Sequence, residues 1–327
     1  MDALIDLFAQ AQEALFENFF QPIAFGLGLA SRLEDIFDAT GWLLIGLLQI
    51  AVMLMVISPL QRWRPVETIT DRAAVRTDVL YTLIHRLGLF RLVLFFTLDP
   101  LMDEAMGQLR TAGFRTFHLE DLWPGLTDGP ITSFVLYLVV FDFLNYWMHR
   151  AQHQWGWWWA LHAVHHSQRH MTQWSDNRNH LLDDILRAVI WVLVAQLIGI
   201  APSQFVAVVA LTQLSENFQH ANLRVSFGRI GERLWVSPRF HRLHHAIGLG
   251  HESHDAQGDT VLGGHNFGVL LPCWDVFFGT ANFETTFEST GIRDQVSEGR
   301  DYGGSFISQQ ILGIKRLISA LGLRSQP

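Results

Sequence analysis

The chain has 327 residues, enough for a large domain with a sizeable core, and 49% of them are hydrophobic while only 17% are charged. Soluble domains average about 25% charged, so the balance points toward lipid. The net charge of −8 leaves no basic footprint for nucleic acid, and the single cysteine, Cys273, excludes an internal disulfide and a cysteine zinc site.

In chain order, Leu15–Ala30 is apolar but carries Glu17, Asn18, Gln21 and Pro22. It reads as an interfacial helix, with a first membrane span as the alternative. The opening Met1-Asp2-Ala3-Leu4-Ile5-Asp6 lacks the basic region of a signal peptide. Gly41–Leu60 is a charge-free stretch long enough to cross the hydrocarbon core. A loop with Arg62, Arg64, Arg72 and Arg76 follows, then a second expected span over Val79–Leu98, interrupted by His85, Arg86 and Arg91. Residues 99–129 form an acidic loop, and Ile131–Met148 is the third span. Ile185–Ile200 and Phe205–Leu214, joined at Ala201-Pro202-Ser203, form a helical hairpin that dips into the bilayer or crosses it twice. From His220 onward the chain is soluble in character. The positive-inside rule puts the arginine loop in the cytoplasm and the acidic loop outside. The segments after the third span and after His220 then fall on the cytoplasmic side. Trp155, Trp157, Trp158 and Trp159 suit an interfacial belt.

Histidine is the outlier, at 16 residues. Three clusters stand out: His149-x-x-x-His153, His162-x-x-His165-His166 and His241-x-x-His244-His245. Positions i, i+3 and i+4 share a helix face, so each cluster aims its imidazoles in one direction, and all three fall on the expected cytoplasmic side. Imidazole suits iron, zinc and copper, whereas magnesium and calcium prefer oxygen. Eight imidazoles are too many for one tetrahedral zinc but suit two metals with open positions. His220, at the end of the last membrane helix, is read as a ninth ligand. Glu216, one turn earlier, is read as a neighbour of the ligands rather than a ligand. Asp142 is a carboxylate inside a span, where such a group is costly and usually functional. Asp142, Tyr146, His149 and His153 lie on one helical stripe, so Asp142 is expected to reach an imidazole arriving from another helix, directly or through Tyr146. His180, His251, His254 and His265 stand singly and are read as surface or supporting residues. His85 is read as structural or cavity-lining, and His118 as remote from the site.

These residues resemble the fatty acid hydroxylase superfamily, also called the sterol desaturase family. The resemblance runs from Asp142-x-x-x-Tyr146-x-x-His149-Arg150-x-x-His153 through Trp159-x-x-His162-x-x-His165-His166-Ser167, Arg178-x-His180, His220-x-Asn222 and Pro238-x-x-His241-x-x-His244-His245. It continues through Asn266-Phe267-Gly268 to Trp274-Asp275-x-x-Phe278-Gly279-Thr280. It implies an all-α, polytopic membrane bundle with a cytoplasmic, histidine-lined dimetal cap. It also implies two non-haem irons, O2 as co-substrate, and hydroxylation, less often desaturation, of a lipid or sterol-like substrate. Leu181 stands where many relatives have proline after the histidine matching His180, so no role is carried onto His180. The HxxxH spacing of the first cluster favours this superfamily over the acyl-CoA desaturases.

The expected organisation is an interfacial segment at 1–38, two transmembrane helices and an outer loop at 39–130, a histidine-box domain at 131–283 and a cytoplasmic tail at 284–327. With no GxGxxG fingerprint and no cytochrome b5 segment, electrons are expected from a separate ferredoxin- or cytochrome-type donor with its reductase. A metal transporter with a histidine-rich cytoplasmic region would need ionisable residues through several spans. A bis-histidine haem carrier would need paired histidines at mid-bilayer.

Overall fold

The computed structural model describes residues 2–323. It is built almost wholly of helices. In chain order these are α1 (Asp2–Leu15), α2 (Gln21–Gly26), α3 (Leu33–Val52), α4 (Ser58–Trp63), α5 (Arg72–Arg86), α6 (Leu89–Thr97), α7 (Asp99–Thr111) and α8 (Pro130–Gln154). Then follow α9 (Gly156–His166), α10 (Leu181–Ile198), α11 (Pro202–Gln219), α12 (Gly228–Leu234), α13 (Pro238–His244), α14 (Cys273–Phe278), α15 (Arg293–Ser297) and α16 (Phe306–Ala320). One antiparallel hairpin, β1 (Glu252–His254) with β2 (Thr260–Leu262), lies between α13 and α14.

Two helices among the described residues are long and apolar enough to cross a membrane: Ala30–Trp63, which runs through α3 and α4, and Pro130–Gln154, which is α8. The first joins its two parts through a π-helical stretch at Met53–Ile57. Both leave large apolar side chains uncovered, among them Leu48, Met55 and Val56 on one and Ile131 and Val135 on the other. That is the expected surface of a helix solvated by lipid rather than water.

The expected span at Val79–Leu98 is broken. α5 ends at Arg86, Gly88 turns the chain with φ +77°, and α6 restarts at Leu89. The interrupting residues are the cause. Arg86 is buried and donates to Asn217 at 2.9 Å, and His85 pairs with Asp184 at 3.3 Å. The end of α5 is thereby fastened to polar groups of the bundle. Gly46 lets α3 approach this end closely, since a Cβ there would lie 1.7 Å from the Arg86 carbonyl oxygen. The acidic loop also contains a helix, α7. The hairpin after residue 181 forms as α10 and α11, with Gly199 (φ +66°) closing the first and Pro202 starting the second. The core between α8, α10 and α11 stacks Phe141 on Trp191 at 4.6 Å and sets Phe205 edge-on to Phe141. The described part of the C-terminal segment packs on the bundle. α16 packs along α9, Arg316 donates to the Ala160 carbonyl, and Gln310 bonds Tyr81 and the backbone of Asn179 and Leu181. Residues 324–327 lie outside the described residues.

Candidate metal centre

α8 delivers His149 and His153 from its last two turns, and α9 turns back at once to deliver His162, His165 and His166. His220 caps the end of α11, while α13 supplies His241 and His244, with His245 following. Ser237 caps the start of α13 by accepting from Phe240 N, and Pro238 presets its first turn. The helical spacing therefore does what the pattern predicts. All nine expected ligand histidines are buried and converge in two groups. One holds His149, His153, His162, His166 and His244, and the other His165, His220, His241 and His245. Within each group the ligand nitrogens lie within 4.8 Å of one another.

The second group shows the geometry of a ligand set. His220 Nε2 lies 3.1 Å from His165 Nε2 and 3.0 Å from His241 Nε2, and His245 Nε2 lies 3.2 Å from His241 Nε2. Metal–imidazole bonds of about 2.0–2.1 Å put neighbouring nitrogens about 2.9–3.4 Å apart for angles from right-angled to tetrahedral. The tautomers agree. Four imidazoles use Nδ1 toward an oxygen: His149 on Phe267 O (3.0 Å), His162 on Asp183 Oδ2 (3.2 Å), His220 on Glu216 O (2.7 Å) and His244 on His265 O (2.8 Å). Each Nδ1 donates its hydrogen there, which leaves the Nε2 lone pair bare, and for His162 and His244 that Nε2 is buried without a hydrogen bond. Both ring nitrogens of His153 and of His166 are likewise buried and unpaired. Burial, reinforced by neighbouring imidazoles, pushes His165, His166, His241 and His245 well below the usual histidine range. Burial takes His244 down to about 3. Clustered, neutral, lone-pair-bearing nitrogens without hydrogen donors are costly in an apolar interior unless they bind a cation. The donor set therefore fits two metals, and nitrogen-only donors exclude a magnesium or calcium preference.

The carboxylate that orients a ligand is not the expected one. Asp142 touches no histidine. It accepts from Leu270 N (2.7 Å), Leu271 N (3.1 Å) and Trp274 Nε1 (2.9 Å). The helical stripe was correctly periodic, but two turns of α8 separate Asp142 from His149, and the loop before α14 fills that space. Asp142 and Asp275 together hold this loop, Asp275 taking Phe267 N and Gly268 N at 2.8 and 2.7 Å. Asn266, at φ +62°, shapes its start and donates to Phe240 O and Asn282 O. The loop in turn presents Phe267 O to His149. Tyr146 is also directed away from the histidines, bonding Thr280 Oγ1 at 3.0 Å and receiving Arg150 at 3.1 Å. The Glu216 backbone oxygen serves His220, but its carboxylate faces Arg187 at 3.9 Å.

Asp183 does what was expected of Asp142. Completely buried in the first turn of α10, it takes Gln152 Nε2 at 2.8 and 2.9 Å, Trp158 Nε1 at 2.6 Å and His162 Nδ1. Trp158 and Trp159 thus reach the site: Trp158 through Asp183, and Trp159 by stacking on His251 at 5.2 Å, while Trp155 is exposed. Asp176, 3.8 Å from His220 Nδ1, and Asp78, which takes Arg178 at 2.9 Å and also receives Gln168, were likewise unsignalled. His180 caps α10, accepting from Leu182 N at 3.1 Å and bonding Gln310 O at 2.9 Å, so it is structural. His85 lines a cavity and pairs with Asp184, and His265 serves through its carbonyl. His254 lies on the exposed hairpin, and His118 packs at Gly199.

Residues 134–280 match the fatty acid hydroxylase family. An ornithine lipid hydroxylase, OlsE of Rhizobium tropici, is 26% identical over 224 residues, which is 68% of this chain and 62% of that protein. Alkylglycerol monooxygenases of Caenorhabditis elegans and Xenopus tropicalis are 27% and 26% identical over 48% and 51% of this chain, covering 28% and 37% of their own lengths. The chain thus spans less than two thirds of each of these relatives. No solved structure matches it. The segment that matches the fatty acid hydroxylase family contains every histidine of both buried groups.

Proposed function

We propose that the protein is a membrane-bound, non-haem di-iron oxidoreductase that hydroxylates a lipid-like substrate. The site faces the cytoplasm, O2 is the co-substrate, and electrons come from a separate ferredoxin- or cytochrome-type donor with its reductase. The observation that carries the reading is the pair of buried histidine groups with Nε2 lone pairs turned inward. The relatives supply the reaction class, being a lipid hydroxylase and two monooxygenases by name. Bound iron would supply activation of O2 and removal of hydrogen from an unactivated C–H bond.

The chain's own residues do the rest. His149, His153, His162, His166 and His244 would hold one iron, and His165, His220, His241 and His245 the other. Asp183 and the carbonyls of Phe267, His265 and Glu216 keep four of these rings in the tautomer that leaves Nε2 free. Asp142 and Tyr146 act at a distance. Asp142 fastens the loop carrying Phe267, and Tyr146 packs the helix end beneath it through Thr280 and the stacked ring of Phe278. Phe267 is buried against His149, His153 and His244 and keeps bulk water out.

The test is metal content and product formation in the full chain purified from membranes. Expected are two non-haem irons per chain without a Soret band, and loss of activity with retained membrane insertion for His165→Ala and His245→Ala. Near-normal turnover in either variant, or zinc as the activity-supporting metal, refutes the proposal. Comparison of the lipids of a deletion strain with wild type then identifies the product.

A further inference from the structure

Two cavities adjoin at Arg187 and Glu216. The smaller, of about 30 Å³, touches His149, His162, His165, His220 and His241. The larger, of about 250 Å³, lies between α3, the α5–α6 turn, α10 and α11. Its walls divide by chemistry. Trp42, Ile45, Leu94, Val192 and Phe205 make an apolar arm, and the other end is polar. Arg187, Glu216, Asp176 and Asn179 line both cavities, so the polar end borders the histidines.

Buried ion pairs elsewhere in the molecule are closed: Arg178 meets Asp78 at 2.9 Å, and Glu232 lies 3.3 Å from Arg239. Arg187 and Glu216 stand 3.9 Å apart, with 28% and 17% of their side chains exposed, and both line the two cavities. Among the described residues neither side chain makes a hydrogen bond. In an apolar bundle such a pair gains from closing into contact. Held open, it offers a fork of N–H donors beside a carboxylate acceptor. The larger cavity's wall carries three arginines, Arg86, Arg91 and Arg187, and three carboxyl groups, Asp176, Asp184 and Glu216. An anionic polar group would be repelled at Glu216, and a cationic one at Arg187. A group carrying both charges satisfies both.

Building on the hydroxylase reading, we propose that Arg187 and Glu216 recognise the zwitterionic polar end of an amphiphilic lipid whose hydrocarbon lies in the apolar arm. Arg187 takes the anionic oxygens and Glu216 the ammonium. The reacting carbon therefore lies at or close to the polar end, not far along the chain.

The test is binding of radiolabelled C16 probes to the full chain in nanodiscs: N-hexadecanoyl-lysine (both charges), N-hexadecanoylglycine (anion), hexadecylamine (cation) and hexadecanol (neither). Wild type should bind the zwitterion at least tenfold more tightly than the other three. Arg187→Gln and Glu216→Gln should each reduce that preference below threefold while hexadecanol binding stays within twofold. Should either variant fail to fold, Arg187→Lys, which keeps the charge, must retain a preference. Ala188 also lines the larger cavity, and Ala188→Phe, which narrows it, must weaken all four probes. Equal binding of the four probes by wild type, or an undiminished preference in Glu216→Gln, overturns the proposal. Iron content of the same preparations separates the two readings. Wild type with two irons and no preference refutes only the substrate site, whereas wild type without iron refutes the hydroxylase reading and leaves the binding result standing.

Discussion

Replacing Asp183 with Asn keeps the side chain's shape and changes what it can accept. Oδ1 takes Gln152 and Trp158, and Oδ2 takes Gln152 and His162. In Asp183→Asn the amide oxygen keeps the Trp158 contact, at 2.6 Å the shortest of these, and the amide nitrogen replaces Oδ2. That nitrogen is a donor facing the Nδ1–H of His162. The clash is relieved when His162 moves its proton from Nδ1 to Nε2, and the ring then presents a hydrogen where it would present a lone pair to metal. The lost bond is charge-assisted and buried, worth about 1.5–3 kcal/mol. At 1.4 kcal/mol per decade this corresponds to about ten- to a hundredfold in affinity for the metal of the first group, the range typical of a supporting carboxylate. The assay is chelator competition and iron content at matched protein, with turnover alongside. Membrane insertion should be unchanged, because Asn still fills the site and still serves Trp158. Iron affinity within twofold of wild type would show that His162 does not depend on Asp183 for its tautomer, and the orientation argument would fail.

Asp142→Asn should affect iron less than Asp183→Asn, because its partners are backbone and tryptophan N–H groups rather than a ligand. Asp142→Leu, which leaves the buried Leu270 N–H and the part-buried Leu271 and Trp274 N–H groups unpaired, should lower thermal stability in detergent by about 1–3 kcal/mol for the buried donor and less for the others, and an iron loss without any stability loss would contradict this. Acid should destabilise the metal-free protein. The buried imidazoles of His165, His166, His241, His244 and His245 have folded pKa values below the unfolded value. Above about pH 6.5 both states are neutral and the shift has no effect, whereas below it the unfolded chain takes up protons first, at about 1.4 kcal/mol per unit and per group. Unfolding followed from pH 8 to pH 5 should therefore show a flat region and then a fall, and a pH-independent midpoint would refute the neutral cluster. Gly46→Ala should destabilise by more than about 1–3 kcal/mol, since neither α3 nor the Arg86 carbonyl can yield, and unchanged melting would refute that close approach. A reporter after Pro327 and one in the loop at 61–76 should both report the cytoplasm, and labelling of either from outside would overturn the topology.

The convergence of the nine histidines was legible because their signal is local: i, i+3 and i+4 spacing states which rings share a face before any tertiary contact is known. The two strongly apolar helices were legible for the same reason. What surrounds the ligands was not. Asp183 lies 21 residues beyond His162 and beside Asp184, an identical residue that pairs instead with His85, and nothing local tells the two apart. Asp142 stood out because charge in a span is unusual, yet the loop at 269–274 that it serves arrives from about 130 residues away. The position of the break at Gly88 has no local signal, because apolar composition continues through it, while the polar partners of His85 and Arg86 lie on α10 and around α11.

The two histidine groups are unequal in the order in which synthesis delivers them. Four of the five rings in the first lie on α8 and α9, consecutive helices that pair locally, whereas the second needs rings from α9, α11 and α13. At about 5–20 residues per second, the first group is nearly complete several seconds before His241 leaves the ribosome. Local contacts also form faster than distant ones. A nascent chain therefore carries a nearly finished nitrogen site while the other does not yet exist, and whichever divalent ion is at hand meets that site first. Protein made under iron limitation should accordingly hold one metal per chain, lost on replacing His153 with Ala but kept on replacing His220 with Ala.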